Sequence, residues 1–207
     1  RWEGLRLRVV GPGPRRLAAA LLAPHLQRRF RDHYDVGDLR VTVEEGGSRV
    51  RRRARGVQRL LGPEVVARGR GDGRPEVSTG ALVSVTHSGD VTMVATAPGP
   101  VGVDLVRRDT DGVDSAPWDD LLGADGTALA AVLADGDPEE SPATAAARVW
   151  AAREAVRKCA GEPGRPLVLR HREGPWTVLG SGSITVLTHA DSEFVAAVAA
   201  EGRSRDA

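Results

Sequence analysis

Leu5, Leu7 and Val9 alternate with polar neighbours in Arg1 to Val10, a period of two that predicts a strand, which Gly11-Pro12-Gly13-Pro14 then breaks. From Pro14 to Tyr34 the period lengthens. Leu17, Leu21, Leu22, His25, Leu26, Arg29 and Phe30 recur at helical spacing, with Pro14 suited to the first turn and Pro24 a place for a kink. Leu39 to Glu45 alternates again as a strand. Ser48 to Leu61 returns to a helical pattern, with Val50, Val57, Leu60 and Leu61 inward and the arginines outward. After a Gly-rich passage through Gly73 come three short strands, Ala81 to Thr86, Val91 to Thr96 and Val101 to Val106. Turns at His87-Ser88-Gly89-Asp90 and Ala97-Pro98-Gly99-Pro100 separate them, so the three read as a meander.

The second half repeats this order. Pro117 to Ala134 is a weak helical stretch. Asp137-Pro138-Glu139-Glu140 combines an N-cap residue, a first-turn proline and a reciprocal glutamate, which predicts a helix running to Ala160 and stopping at Gly161 and Pro163. Pro166 to Arg170, Trp176 to Leu179, Ser183 to Leu187 and Phe194 to Ala199 follow as strands with Gly turns. Helix followed by antiparallel meander, twice, predicts an α+β fold of two similar α/β lobes related by a pseudo-twofold, at residues 14–108 and 109–207. No residue-level repeat accompanies it. Residues 1–13 read as a strand and linker belonging to an upstream domain, because no initiator methionine precedes them.

Composition narrows the class. The 207 residues are 41% hydrophobic and 28% charged, as in an ordinary globular protein. No run approaches the roughly 20 apolar residues of a transmembrane helix, and no basic-then-apolar leader opens the chain, so no membrane partner is expected. The single cysteine, Cys159, excludes an internal disulfide or a thiolate zinc cluster and fits a reducing cytoplasm, leaving oxygen or imidazole for any metal. Aromatics are only 3%, so Val, Leu and Ala must fill the interior. Charge is uneven: residues 1–70 carry 17 basic and 7 acidic groups and residues 71–207 carry 12 and 21, a split of +10 against −9. Such asymmetry points to an anionic partner for the first part, whether nucleic acid, an acidic protein or a polyphosphorylated small molecule. Of the 29 basic residues, 28 are arginine and one is lysine, Lys158. Either the lone lysine is chance, or it stands where only the compact cation fits.

Four segments carry candidate chemistry. Asp104 sits in the otherwise buried-looking strand Gly102-Val103-Asp104-Leu105-Val106, where an ionised carboxylate needs a cation or hydrogen-bond donors. Trp150, Glu154 and Lys158 are spaced by four and share a helix face. Read separately, these are a satisfied structural aspartate and an exposed ion pair. Read together, two carboxylates meeting at one site can hold Mg²⁺, with Lys158 one turn on as a phosphate ligand. The turn Val85-Thr86-His87-Ser88-Gly89-Asp90 offers hydroxyls and an imidazole, but its adjacent Ser, His and Asp do not form a hydrolase triad, whose members converge from separate elements. Gly73-Arg74-Pro75 is the fourth, and a plain loop is its alternative.

In this order and spacing, GRP (73–75), THS (86–88), VGVDLV (101–106) and WAAREAVRK (150–158) resemble the motifs of the 4′-phosphopantetheinyl transferase superfamily, in particular its two-lobed Sfp-type branch. The resemblance spans about residues 72 to 161. It departs at Val106, where many members carry a second acidic metal ligand, and at Arg74, Arg153 and Thr86, which keep the charge or hydroxyl of the residues they replace. The family's upstream nucleotide-binding lysines have no counterpart, although Arg15 or Arg16 offers a cation. The resemblance implies transfer of phosphopantetheine from coenzyme A to a serine of an acyl carrier protein, releasing adenosine 3′,5′-bisphosphate. Mg²⁺ would lie on Asp104 and Glu154, Lys158 on the displaced phosphate, and Arg74, Thr86 and His87 at the nucleotide end, with Glu154 or a metal-bound water accepting the serine proton. The basic segment Ser48 to Leu61 is an addition that either contacts an acidic carrier or is a solvated face. The leading strand, linker and WAAREAVRK wording also look like the C-terminal transferase domain of an iterative, enediyne-type polyketide synthase, with the carrier on the same polypeptide or a sister chain. Two lobes in one chain imply a monomeric catalytic unit. An inactive carrier-docking domain accounts for Val106. A nucleic-acid-binding module accounts for the basic first part but lacks interleaved aromatics and any reader motif. A Mg²⁺-dependent nucleotide hydrolase would need a GxxxxGK[ST] loop, which the sequence lacks.

Overall fold

The computed structural model describes residues 39–69, 75–108, 116–161, 165–173 and 176–201, together with the backbone of two-residue strands at 8–9, 34–35 and 203–204. The first predicted strand is thus seen only at β1 (Arg8–Val9), and the predicted helix from Pro14 lies outside the described residues up to β2 (Tyr34–Asp35), which begins at its last residue. The order continues β3 (Arg40–Glu45), α1 (Arg49–Leu61), β4 (Ala67–Gly69), β5 (Pro75–Val77), β6 (Val83–Ser88), β7 (Val91–Thr96) and β8 (Val101–Arg107). Then follow α2 (Trp118–Asp135), α3 (Pro142–Ala160), β9 (Val168–Glu173), β10 (Trp176–Ser181), β11 (Ile184–Ala190), β12 (Phe194–Glu201) and β13 (Arg203–Ser204). The fold is mixed α+β. No helix among the described residues is long and apolar enough to cross a membrane.

A four-stranded sheet has the order β1-β3-β7-β6, with β1 parallel to β3 and the rest antiparallel. A five-stranded antiparallel sheet has the order β8-β12-β11-β10-β9, and two small strand pairs complete the set. The three-strand meander expected at 81–106 is therefore shorter: β6 and β7 form a hairpin, but β8 leaves them to pair with β12. The hairpin turn is also tighter than expected. Strand pairing runs to Ser88↔Val91, leaving only Gly89-Asp90 as the loop, with Gly89 at φ +55°.

The alternation of side chains builds the layers. Val41 and Val43 of β3, Met93 and Ala95 of β7, Val103 and Leu105 of β8, and Phe194 and Val198 of β12 share one core, so the two sheets meet through their inner faces. On the outer face of the first sheet, Val57 and Leu60 of α1 cover Val94, and Gly56 lets the helix close on that strand: a Cβ there would lie 2.6 Å from Val94 Cγ2. On the outer face of the second, Ala147, Ala151 and Ala155 of α3 pack on Val195, Ala197 and Ala199, and α2 covers α3 through Leu122 and Leu133.

Buried charge explains two departures from the sequence reading. The arginines of α1 do not all face outward. Arg52 is buried and donates to Thr92 Oγ1 (2.9 Å) and the Gly89 carbonyl (3.0 Å), while Arg55 and Arg59 reach the fully buried Glu44 of β3 at 3.3 and 2.7 Å. A carboxylate removed from water needs such cations. Val50, expected inside, is exposed. The second departure is the start of α3. Asp137–Glu140 closes into a turn of its own, with Asp137 Oδ1 accepting from the Glu139 N–H (2.9 Å), and Ser141 caps the helix through the Thr144 N–H (3.1 Å), with Pro142 in the first turn. Glu140 cannot serve as the reciprocal cap residue because both its oxygens accept from the buried Arg148 guanidinium (2.9 and 3.0 Å), and Arg172 also pairs with it. Arg148 in turn donates to Thr188 Oγ1 at 3.0 Å, fastening α3 to β11. The helix ends as expected at Gly161, in the left-handed region at φ +88°.

His189 of β11 is buried against Trp176, with ring centroids 4.8 Å apart, and its Nδ1 has no hydrogen-bond partner among the described residues. Burial pushes its pKa from 6.5 to about 4; Asp191 opposes that shift and the Arg148 charge adds to it. As pH falls, the unfolded chain takes up this proton first, so the stability from a neutral His189 is complete above pH 6.5 and is lost progressively towards pH 4. That loss amounts to roughly 3 kcal/mol. In urea unfolding at pH 7 and pH 4.5, His189→Phe is expected to lose markedly less stability between the two pH values than the parent. Identical losses would show that His189 does not contribute.

Candidate functional site

Gly102 sets the geometry of the site. A Cβ on it would lie 1.9 Å from the Ala155 carbonyl oxygen and 2.7 Å from the Cys159 nitrogen, so β8 and α3 touch backbone to backbone. Gly102, Asp104 and Val106 form the stripe of β8 on the side of α3, by the same alternation that sends Val101, Val103 and Leu105 into the inter-sheet core. With the helix this close, Lys158 Nζ reaches back to donate to the Val103 carbonyl at 2.9 Å and to Asp104 Oδ1 at 2.6 Å. The sole lysine and the strand carboxylate, 54 residues apart, are thus an ion pair.

Asp104 is also held from the first sheet. Thr86 Oγ1 of β6 donates to Asp104 Oδ1 at 3.0 Å. Two more hydroxyls on the same face of β6 continue the seam: the Val103 N–H donates to Ser84 Oγ at 3.0 Å, and the Arg107 N–H to Ser88 Oγ at 3.1 Å. Hydroxyls spaced by two thus satisfy amides on the edge of β8 that strand pairing leaves open. Both bonds to Asp104 fall on Oδ1, and Oδ2 has none among the described residues.

Glu154 lies one turn before Lys158 on α3. Arg157 grips it: Nη2 donates to Oε2 at 2.6 Å, and Nε stands 3.2 Å from both oxygens. The Arg157 pKa is raised chiefly by that hydrogen bond and the Glu154 charge, with a smaller contribution from Asp104, so one guanidinium feels both carboxylates. Beside Glu154 opens a cleft of about 480 Å³ between α2, α3 and the segment leading into β9. Leu122, Leu129, Val156 and Leu167 form apolar wall, and Arg153 and Arg157 line it with Glu154; Asp104 is not among its lining residues. Arg153 Nη1 donates to the Leu121 and Leu122 carbonyls (3.2 and 2.6 Å), next to Gly123, where α2 leaves helical geometry.

Of the residues singled out from sequence, Asp104, Thr86 and Lys158 come into direct contact; Glu154 stands one turn before Lys158 on α3 and bonds to Arg157, with no bond to Asp104 among the described residues. Alternation puts His87 on the opposite face of β6 from Thr86, with Val83 and Val85. Arg74 lies outside the described residues. Val106 is buried among the alanines of α3 and offers no oxygen. Among the described residues no three His, Cys, Asp or Glu side chains gather as a metal centre. The oxygens here open to a cation are Asp104 Oδ2 and those of Glu154, and each acid already has a basic partner, Lys158 on Asp104 and Arg157 on Glu154. Sequence reasoning missed the hydroxyls of Ser84 and Ser88, the grip of Arg157 and the cleft. The Ser-x-Thr-x-Ser spacing was the available signal for the seam.

Neither the family models nor the curated proteins searched contain a match to this chain.

The Gly102 crossing is testable by stability. Gly102→Ala must push α3 off β8 and is expected to cost about 3 kcal/mol, an overpacking penalty. Gly99→Ala, which has nothing within 4 Å of its added Cβ, should change stability by about 0.5 kcal/mol at most. Equal urea midpoints for the two variants would contradict the crossing.

Proposed function

We propose that the protein is a phosphopantetheinyl transferase of the two-lobed Sfp type: it moves 4′-phosphopantetheine from coenzyme A to a serine hydroxyl of an acyl carrier protein and releases adenosine 3′,5′-bisphosphate. The observation that carries the reading is the Lys158–Asp104 contact, because two residues matched separately to that family's motifs, and distant in the chain, meet across β8 and α3. In this reading the two helix-covered sheets are the two lobes. A Mg²⁺ ion held by Asp104 and Glu154 would supply charge neutralisation at the pyrophosphate.

The residues of the chain do the rest. The serine oxygen forms a bond to the phosphorus bearing pantetheine, the bond to the bridging oxygen breaks, and the bisphosphate leaves with that oxygen. The serine proton goes to Glu154 or to a water molecule at the site. Lys158, fixed by the Val103 carbonyl, keeps its ammonium beside Asp104 and neutralises charge on the departing phosphate. Thr86 holds Asp104 in place, and Arg74 and His87 serve the nucleotide end. Exposed Arg49 and Arg51 of α1 suit an acidic carrier, in keeping with the basic excess of residues 1–70. The carrier would belong to a polyketide synthase of the iterative enediyne type, on the same or a sister polypeptide.

Mass spectrometry of an apo carrier protein incubated with coenzyme A, Mg²⁺ and this protein tests the reading. A gain of one phosphopantetheine is expected, and tight carrier binding with no gain would instead identify a docking domain. Asp104→Ala and Glu154→Gln are expected to abolish transfer while remaining folded. Lys158→Arg should slow it by on the order of 100-fold, because the broad guanidinium cannot occupy the place of the ammonium between Val103 and Asp104. Full turnover in any of the three removes that residue from the mechanism.

A further inference from the structure

The two carboxylates are covered by different kinds of cation. Lys158 is anchored: its ammonium is shared between a backbone carbonyl and Asp104, and its side chain is only 26% exposed. Arg157 is not. Its side chain is 54% exposed, and its only bonds to described residues go to Glu154, whose two oxygens it spans. An exposed pair of this kind, three residues apart on one helix, is weak and readily exchanged. No motif of the proposed family assigns a role to position 157.

We propose that Arg157 is a displaceable counter-ion of Glu154, which a divalent cation must evict to occupy the site. This rests on the reading of Asp104 and Glu154 as metal ligands. Without the ion each acid is matched by one cation, Asp104 by Lys158 and Glu154 by Arg157, and Glu154 is held at the edge of the cleft. A dication arriving at Glu154 must break the Arg157 grip and accept a guanidinium nearby. Both costs weaken binding of the bare ion. They fall when an anionic diphosphate arrives with it, because the released guanidinium, already a lining residue of the cleft, then has phosphate oxygens to bind. Arg157 thereby favours filling of the site by ion and phosphate together over filling by the ion alone.

Mn²⁺ titration followed by the electron paramagnetic resonance of the free ion tests this without turnover. Arg157→Gln is expected to bind Mn²⁺ about five-fold more tightly than the parent, the scale of one weak exposed ion pair. Arg165→Gln, which removes a different positive charge lining the same cleft, should stay within about two-fold of the parent. Unchanged or weaker binding in Arg157→Gln overturns the inference, as does an equal gain in Arg165→Gln, which would make the effect one of general charge. Glu154→Gln separates the two readings. If it weakens Mn²⁺ binding about ten-fold or more while Arg157→Gln has no effect, the metal site stands and the counter-ion role falls. If neither the parent nor Arg157→Gln binds Mn²⁺, the metal reading fails and this inference fails with it.

Discussion

A missing side chain, that of Gly102, is the constraint on which the site depends. An α-helix ordinarily rides on a sheet at a distance set by the side chains between them, and a long side chain on the helix then reaches only its neighbours' side chains. Here the backbone of α3 touches the backbone of β8 at Ala155 and Cys159. That approach lets the Lys158 ammonium bond to a carbonyl on the strand as well as to a strand carboxylate. The alanines of α3 extend the same logic along the helix, since Ala147, Ala151 and Ala155 keep it low on the sheet. Packing of small residues thus becomes electrostatics: only because the helix lies so low is the one lysine of the chain held at Asp104.

The opposite side of Asp104 is fixed by a different device. Edge strand β8 presents amides that its single partner, β12, does not use, and the hydroxyls of β6 accept from two of them. Thr86 occupies the middle of that series and bonds a side chain instead of the backbone. Joining two sheets with hydroxyls rather than ladder bonds leaves Asp104 reachable from the first sheet and from α3 at once. The rest of the buried charge follows the same rule of satisfied partners: Glu44 with Arg55 and Arg59, and Glu140 with Arg148 and Arg172.

Most of the element order was legible because periodicity reports burial, and burial is what forms strands and helices here. β3, α1, β7 and the four strands β9 to β12 stand close to where the spacing of Val, Leu and Ala predicts them. Pairing was less legible. Nothing in the pattern of Val101 to Val106 distinguishes a third meander strand from a first strand of the next sheet, since a strand buried on both faces reads alike in either place. The false helix start at Asp137 has a packing cause: Arg148, eight residues on, takes both oxygens of Glu140, and the cap falls to Ser141 with Pro142 in the first turn. In the site, the spacing of Glu154 and Lys158 was plain, but whether Asp104 met Lys158 depended on which sheet β8 joined, a tertiary fact. Arg157 was hidden among 28 arginines that look alike in sequence.

The valine at position 106 becomes intelligible once charges are counted on the face of β8 beneath α3. Gly102, Asp104 and Val106 follow one another on that face, and Val106 lies among the buried residues that include Ala151, Ala152 and Ala155. A carboxylate there would be removed from water and would need a cation of its own. The cations of α3 paired with the acids here are already engaged, Lys158 on Asp104 and Arg157 on Glu154. A third acid would leave one negative charge buried and unmatched unless a divalent ion were permanently bound. With valine at 106 the face of β8 under α3 carries one acid, Asp104, held by Lys158 and Thr86.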